Sequence, residues 1–504
     1  MVDMQSTFSN LPLFLKLMCI TAIAMWVPAI FCLLAEEHWQ SRTFFYSGLL
    51  GLSFVMIMGI TLSSRKSQGG GLSLLMDLGL VYFVLPAFLA LPVQQIIMNT
   101  SYLNAYLDMV GALTTTGLRV FEDTRLSDAL HFWRAFVAWG GGALIWIAAG
   151  AIFAPLNIGG YEVAAQTKQQ VGAVGYGLNS SQTTHLLYRQ TRELFPVYFG
   201  LTLFLFILLS LSQMPVNDAL IYAMSTMSTS GIALGNGGAG AGFLSEAFVF
   251  AFFVFAITRL SFTTDHGRLN LGGLRRDVEL RLATVLIVGV PLLLFLRHWA
   301  IALGIESDDE LLSALKAFWG VLFTVASFVT TTGFISEYWQ DAQAWSGLDT
   351  PFVLFMGLAF IGGGFATTAG GAKLLRVYVL YLSVRRELDK MTYPSSVGQS
   401  RSHLRGDLRQ GANIAWVFFM IYLVAIAAFT VLFSALHLDF EQACVLVFAA
   451  LTNTGPLLDV MMLPDIDLIA APVLFKLSLA LAMILGRLEI LVVIALLSPS
   501  IWRR

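Results

Sequence analysis

The stretch Val329-Thr330-Thr331-Thr332-Gly333-Phe334 decides how this chain is read. Three hydroxyl residues and a glycine stand between an apolar run, 315–328, and the polar, aromatic Ser336-Glu337-Tyr338-Trp339. Alone, the stretch also reads as a plain helix C-terminus, because glycine commonly follows a helix end. Repetition argues for more. Thr114-Thr115-Thr116-Gly117, Ser228-Thr229-Ser230-Gly231 and Thr452-Asn453-Thr454-Gly455 separate long apolar segments in the same way, and the glycines recur roughly every 100 to 120 residues. Self-similarity of this kind marks one unit used several times. Four copies of short helix, extended Thr/Ser-Gly segment and long helix imply one pore assembled with pseudo-fourfold symmetry from a single chain.

Such segments suit a cation filter. A potassium ion leaving water must have its hydration oxygens replaced, and rings of backbone carbonyls can do this. A carbonyl turns toward a central axis only where the backbone leaves the helix, and glycine permits the dihedral angles required. Non-helical backbone at membrane depth is tolerated where protein or a water-filled cavity surrounds it. Four loops around one axis meet all three demands.

The composition agrees with a membrane setting. Of the 504 residues, 57% are hydrophobic and 12% charged, and the mean hydropathy is +0.77. Apolar runs of about 20 residues, each long enough to span a bilayer, recur along the chain. With a net charge of −2, nothing points to nucleic acid. Cys19, Cys32 and Cys444 lie in or beside apolar segments without paired or metal-type spacing, which argues against a disulfide framework. The first apolar run ends in Glu36-Glu37-His38 rather than a small-residue cleavage site, so a retained helix is expected, not a signal peptide.

The expected fold is an all-α polytopic membrane protein, with two leading transmembrane helices and four helix–pore-loop–helix repeats around a central pore. Residues 1–70 hold the leading spans, 11–34 and 43–62. Repeat one (71–192) comprises an outer helix 72–93, a short re-entrant pore helix 103–113 and an inner helix 132–155. Repeat two (193–277) has 194–211, 218–227 and 243–262. Repeat three (278–405) has 282–303, 311–328 and 352–381, and repeat four (406–504) has 415–436, 441–450 and 471–497. Pore helices of about 10 to 18 residues are too short for comfortable spanning.

Arg65-Lys66, Lys168, Arg189, Arg192, the stretches 268–281 and 385–409, and Arg503-Arg504 all fall on one side of this arrangement. The positive-inside rule makes that side, with both termini, cytoplasmic. The opposite loops carry Glu36, Glu37, Glu306, Asp308, Asp309, Glu310, Asp459, Asp465 and Asp467, which would concentrate cations at the mouth or serve as ordinary solvated loops.

Two intramembrane features remain. The inner helix of repeat three contains Gly362-Gly363-Gly364-Phe365-Ala366-Thr367-Thr368-Ala369-Gly370-Gly371, then Lys373 and Arg376. Five glycines, at roughly 1 kcal/mol each relative to alanine, do not make a stable helix interior. Small residues also serve tight helix packing, but the sharper expectation is a broken helix gating the pore from below. Arg487, beside Gly486 and near Glu489, is either a pore-facing charge that repels or gates cations, or a side chain snorkelling to the cytoplasmic end. Gly235-Asn236-Gly237-Gly238-Ala239-Gly240 matches a dinucleotide fingerprint by letter, yet no strand or βαβ unit accompanies it, so an outer loop is expected. The seven histidines lack ligand spacing and no nucleophile–base set stands out, so the chain is not expected to be an enzyme.

Taken together, the four segments, the glycine-rich break and the closing Gly486-Arg487-Leu488-Glu489-Ile490 resemble the Trk/Ktr/HKT potassium transporters. Further matches are Phe132-Trp133-Arg134 leading to Trp139-Gly140-Gly141-Gly142, Asp277-Val278-Glu279-Leu280-Arg281 and Tyr393-Pro394-Ser395-Ser396-Val397. Length and the two leading helices make the chain most similar to the bacterial Trk membrane subunit, TrkH/TrkG type. The resemblance covers nearly the whole chain. It implies potassium uptake across the bacterial inner membrane by a homodimer with one pathway per protomer. A cytosolic regulatory subunit of the TrkA/KtrA type would carry any NAD or ATP. Carried over to this sequence, the potassium-binding filter is Thr115, Thr116 and Gly117, then Thr229, Ser230 and Gly231, then Thr331, Thr332 and Gly333, then Asn453, Thr454 and Gly455. The gate is Gly362, Gly363, Gly364, Gly370 and Gly371 with Arg487. Gly117 favours potassium, since serine there accompanies sodium permeation in the family. The loop core Phe365-Ala366-Thr367-Thr368-Ala369 departs from the Gly-Ser-Thr-Ala of relatives, and Asn453-Thr454-Gly455-Pro456 fits the family's looser fourth filter. A sodium- or proton-coupled symporter and a non-conducting membrane sensor or scaffold are the alternatives.

Overall fold

Backbone N–H and C=O groups in a bilayer must be satisfied within the protein, which leaves helices as the economical form for long apolar runs. The computed structural model describes residues 11–62, 71–154, 180–234, 242–258, 277–301, 308–346, 351–392, 402–460 and 466–490, and it is almost wholly helical there. Seven of the helical stretches are long and apolar enough to cross a membrane. The leading helices are α1 (Leu13–Ala24), α2 (Trp26–Leu34) and α3 (His38–Leu62). The stretch expected as repeat one supplies α4 (Gly71–Ile97) at the outer-helix position, α5 (Tyr102–Leu113) at the position expected of a pore helix, and α6 (Asp128–Ala148) at the inner-helix position, which a π turn extends over Ala149–Phe153; the same labels are kept for the other repeats. Repeat two supplies α7 (Ser180–Leu211), α8 (Val216–Ser228), α9 (Phe243–Phe252) and α10 (Val254–Ile257). In repeat three these are α11 (Val278–Ile301), α12 (Asp308–Val329), a short α13 (Trp339–Ser346), α14 (Pro351–Ile361) and α15 (Leu374–Thr392). Repeat four has α16 (Ser402–Ala435), α17 (Phe440–Leu451) and α18 (Val473–Leu488).

The packing is cyclic. Each pore helix lies on the outer helix of its own repeat, α5 on α4, α8 on α7, α12 on α11 and α17 on α16. It also lies on the inner helix of the preceding repeat: α8 on α6, α12 on α9, α17 on α14, and α5 on α18 to close the circle. Two apolar cores fill the spaces between. One joins the leading helices to repeats one and four, around Phe44, Trp133, Phe433 and Phe475. The other joins repeats two and three, around Tyr198, Phe323, Phe328 and Phe355, and takes in parts of α6 and α17. Outward-facing Ile57, Leu211, Val424 and Val431 are exposed, as expected of side chains facing lipid rather than water.

Several expected boundaries move, each for a local reason. The first span breaks at Met25, because Pro28 has no N–H to give the Ala24 carbonyl. The second begins at His38 rather than 43. Pore helix α12 has 22 residues, more than expected, since Asp308-Asp309-Glu310 suits a helix N-terminus. The inner helix of repeat two, expected over 243–262, bends at Phe253 and ends at Ile257. Its freed Ala256 carbonyl accepts instead from Gly364 N at 3.0 Å and Thr367 Oγ1 at 2.9 Å. In repeat four the inner helix, expected over 471–497, runs over Val473–Leu488, and 491–497 lie outside the described residues. Arg65, Lys66, Lys168, Glu306, Asp465, Arg503, Arg504, the Gly235–Gly240 loop, most of 268–281 and the Tyr393–Val397 motif lie outside the described residues.

Candidate functional site

At the C-terminal end of every pore helix the backbone leaves the helix in the same manner. The second signature residue adopts a left-handed conformation in all four repeats, with φ of 54° at Thr115, 55° at Thr229, 57° at Thr331 and 53° at Asn453. The first hydroxyl bonds back one helical turn in each: Thr114 to Val110 O, Ser228 to Met224 O, Thr330 to Ala326 O and Thr452 to Phe448 O, at 2.7 to 3.0 Å. The first and third hydroxyls then bond each other, at 2.8 Å for Thr114–Thr116, 3.1 Å for Ser228–Ser230, 3.0 Å for Thr330–Thr332 and 3.2 Å for Thr452–Thr454. So much of the Thr/Ser richness is explained by local bracing of a strained turn. The third amide returns to the pore helix as well, Thr116 N to Gly111 O at 2.9 Å and Thr332 N to Ser327 O at 2.9 Å.

The four segments form a ring in sequence order. A Cβ at Gly117 would meet Ser230 O of segment two, one at Gly231 would meet Thr332 O of segment three, and one at Gly333 would meet the Pro456 ring of segment four. Segment four closes on segment one, where Gly455 N donates to Thr116 O at 2.6 Å and Asn453 Nδ2 donates to Thr116 Oγ1 at 2.9 Å. Gly117, Gly231 and Gly333 have φ of 67°, 64° and 84°. Gly455 does not; it opens a 3-10 turn over Gly455–Leu458, with Pro456 in the first turn. All twelve carried-over filter residues therefore lie in this ring, eleven of them buried and Gly117 half-buried.

The glycine-rich break between α14 and α15 sits against the side of the ring where the pore helices end. Gly370 N donates to Thr331 Oγ1 at 2.7 Å, and Thr368 Oγ1 donates to Met227 O at 3.2 Å. Gly362 and Gly371, both at φ 73°, pack face to face at the neck of the loop. Two charged side chains grip it. Glu279 Oε1, from the first turn of α11, accepts Phe365 N at 2.8 Å, and Arg487 Nη1 donates to Thr368 O at 2.7 Å. The expectation of a broken helix thus holds in geometry.

Arg487 is buried, so the snorkelling alternative fails. Its neighbour Glu489 is engaged elsewhere, pairing at 2.7 Å with Arg376, whose guanidinium lies over the Phe418 ring at 4.0 Å. Lys373 Nζ reaches back to Ala369 O within the loop. The ground beside the ring is therefore cationic, on the same side as the negative C-terminal ends of the pore helices.

On the opposite side, buried ions hold the segment exits. Arg134 of α6 pairs with Asp108 of α5 at 3.1 Å and donates to Leu118 O, just past Gly117, at 3.2 Å. Losing one member of such a pair costs about 3–5 kcal/mol. Glu246 of α9 accepts from Glu337 N and Ser336 Oγ, just past Gly333. Sequence reasoning missed Asp108 and Glu246 altogether, and it named Arg134, Glu279, Arg376 and Glu489 as motif or neighbouring residues without a part in the site. The usable signal was a lone charge within an apolar helix, as with Asp108, Arg134 and Glu246.

Against known proteins, residues 93–504 match the family model described as TrkH, cation transport protein. The Trk system potassium uptake protein TrkI of Halomonas elongata is 30% identical over 438 residues, spanning 84% of this chain and 83% of that one. TrkH of Vibrio parahaemolyticus is 29% identical over 415 residues, covering 80% of each chain. A crystal structure of the potassium transporter TrkH from Vibrio parahaemolyticus shares the fold at a TM-score of 0.78, over 98% of this chain and 99% of that one, at 23% identity. A family match over four-fifths of the sequence, joined to a ring of four left-handed signature turns, means that the chain belongs to the TrkH family of cation transport proteins.

Proposed function

We propose that this protein takes up potassium across the bacterial inner membrane through the ring of four signature segments. The observation that carries the reading is ring closure: segments one to four meet in order, each with its second residue left-handed, an arrangement in which each repeat would offer backbone carbonyls to one centre. Such carbonyls can replace potassium's hydration oxygens. Relatives named as Trk system potassium uptake proteins support the choice of ion. On this reading the twelve signature residues form the filter. The loop 362–371, pinned by Arg487 and Glu279, is the gate, and its cationic surroundings oppose a cation while it is in place. The five units 1–70, 71–192, 193–277, 278–405 and 406–504 are the working parts. The chain acts as a homodimer with both termini cytoplasmic, and a cytosolic nucleotide-binding partner of the TrkA/KtrA type shifts the loop. NAD or ATP would bind that partner.

Ion flux into liposomes holding the purified chain, with and without the partner, tests this. Potassium flux driven by an imposed potential, with sodium much slower, is the expected result. Sodium passing as readily as potassium would overturn the filter assignment. Flux that requires a sodium or proton gradient would replace passive conduction with coupled transport.

A further inference from the structure

Glu246 lies in the first turn of α9, the inner helix of repeat two, in the apolar sequence Phe243-Leu244-Ser245-Glu246-Ala247-Phe248. It is fully buried. A carboxylate removed from water is costly unless its lone pairs are satisfied, and here every partner comes from repeat three. Glu337 N donates to Oε1 at 2.7 Å, Ser336 Oγ lies 3.0 and 2.8 Å from the two oxygens, and Trp319 Nε1 of α12 donates to Oε2 at 2.8 Å. A set made only of donors matches an ionised, acceptor-only carboxylate, and the N-terminal end of α9 favours that charge. Ser336 is fixed in turn, because its amide donates to Thr324 Oγ1 at 3.3 Å and its hydroxyl accepts Tyr338 N at 3.2 Å.

The clamp therefore begins three residues past Gly333, on the side of the ring away from the loop. Segment one, which stands opposite segment three in the ring, has its own brace in Arg134 and Asp108 at Leu118 O. Within repeat three the exit is tied only to its own pore helix among the described residues, through Thr324 Oγ1 and Ser336 N, so Glu246 supplies the tie from outside it. We infer that Glu246 is a positioning residue which sets potassium-over-sodium discrimination, by holding the outer end of segment three from the neighbouring repeat. A carbonyl ring distinguishes ions through the number, field and spacing of its oxygens, and a segment tethered at both ends keeps that spacing better than one tethered at its pore helix alone.

The inference rests on the potassium-filter reading, and the test separates the two. The potassium-to-sodium flux ratio is measured in liposomes for the wild type, Glu246→Ala, Glu246→Gln and Ser336→Ala. A ratio taken within one preparation does not depend on how much protein inserts, so a merely structural role would leave it unmoved. Glu246→Ala is expected to lower the ratio about tenfold, comparable to losing one hydrogen bond to a charged group. Glu246→Gln, which keeps one acceptor, should fall between, and Ser336→Ala should shift the ratio the same way by less. Should the alanine variant fail to insert, the glutamine and Ser336→Ala variants decide the matter. A wild-type ratio in both overturns the inference. A wild type that does not discriminate overturns the filter reading and this inference with it.

Discussion

Gly231 stands at φ 64° with Thr332 O and the Pro456 ring where a Cβ would go. An L-residue there meets two penalties, about 1–2 kcal/mol for the left-handed backbone and displacement of a carbonyl that belongs to the next segment. Gly231→Ala is therefore expected to abolish potassium uptake while the protein stays in the membrane. Gly200, in α7 with nothing within 4 Å of its would-be Cβ, is the control, and Gly200→Ala should leave uptake unchanged. Uptake assays beside membrane immunoblots check both, and wild-type uptake by Gly231→Ala would sink the filter assignment. The same scale shows what a sequence reveals. The hydroxyl–hydroxyl–glycine repetition is local, so all four turns were legible. Gly455 differs from its three counterparts by opening a 3-10 turn with Pro456 in its first turn, which is local as well.

Among the elements, the loop between α14 and α15 shows where sequence reading reaches its limit. Its existence was legible, since five glycines disfavour a helix. Its holders were not, because they are brought in from far along the chain: Glu279 is 86 residues from Phe365, and Arg487 is 119 from Thr368. The end of α10 was misjudged for the same reason, since the carbonyl that ends it is satisfied by this loop. Arg487 is the most informative holder. It supplies one charged hydrogen bond to Thr368 O and one buried positive charge beside the ring, with Glu489 committed to Arg376. A hydrogen bond to a charged group contributes about 1.5–3 kcal/mol, enough to shift a two-state loop by an order of magnitude or more. Arg487→Ala should raise potassium flux in liposomes lacking the partner. Unchanged flux would mean that the loop serves helix packing rather than gating.

At the scale of the whole molecule, the ring is the seam of the fold. One apolar core gathers the leading helices with repeats one and four, the other gathers repeats two and three with parts of α6 and α17, and residues just past the segments enter both, Leu118 the first and Ile232, Phe334 and Leu457 the second. An ion held by carbonyls from all four repeats would bind the assembled chain and not its separated parts. Ligand binding of that kind stabilises the native state by mass action, about 2.7 kcal/mol when the free ion is about a hundredfold above its dissociation constant. The apparent Tm of the detergent-solubilised protein should therefore climb with potassium and much less with sodium, with choline chloride held as the ionic-strength control. Gly231→Ala, whose ring is displaced, should lose the potassium increment while keeping any general salt effect. Equal responses to potassium and sodium, or an increment that survives in Gly231→Ala, would place the stabilising ion somewhere other than the ring. A potassium-specific increment that vanishes with this one methyl group would tie ion binding, ring geometry and the joining of the two cores to the same four turns.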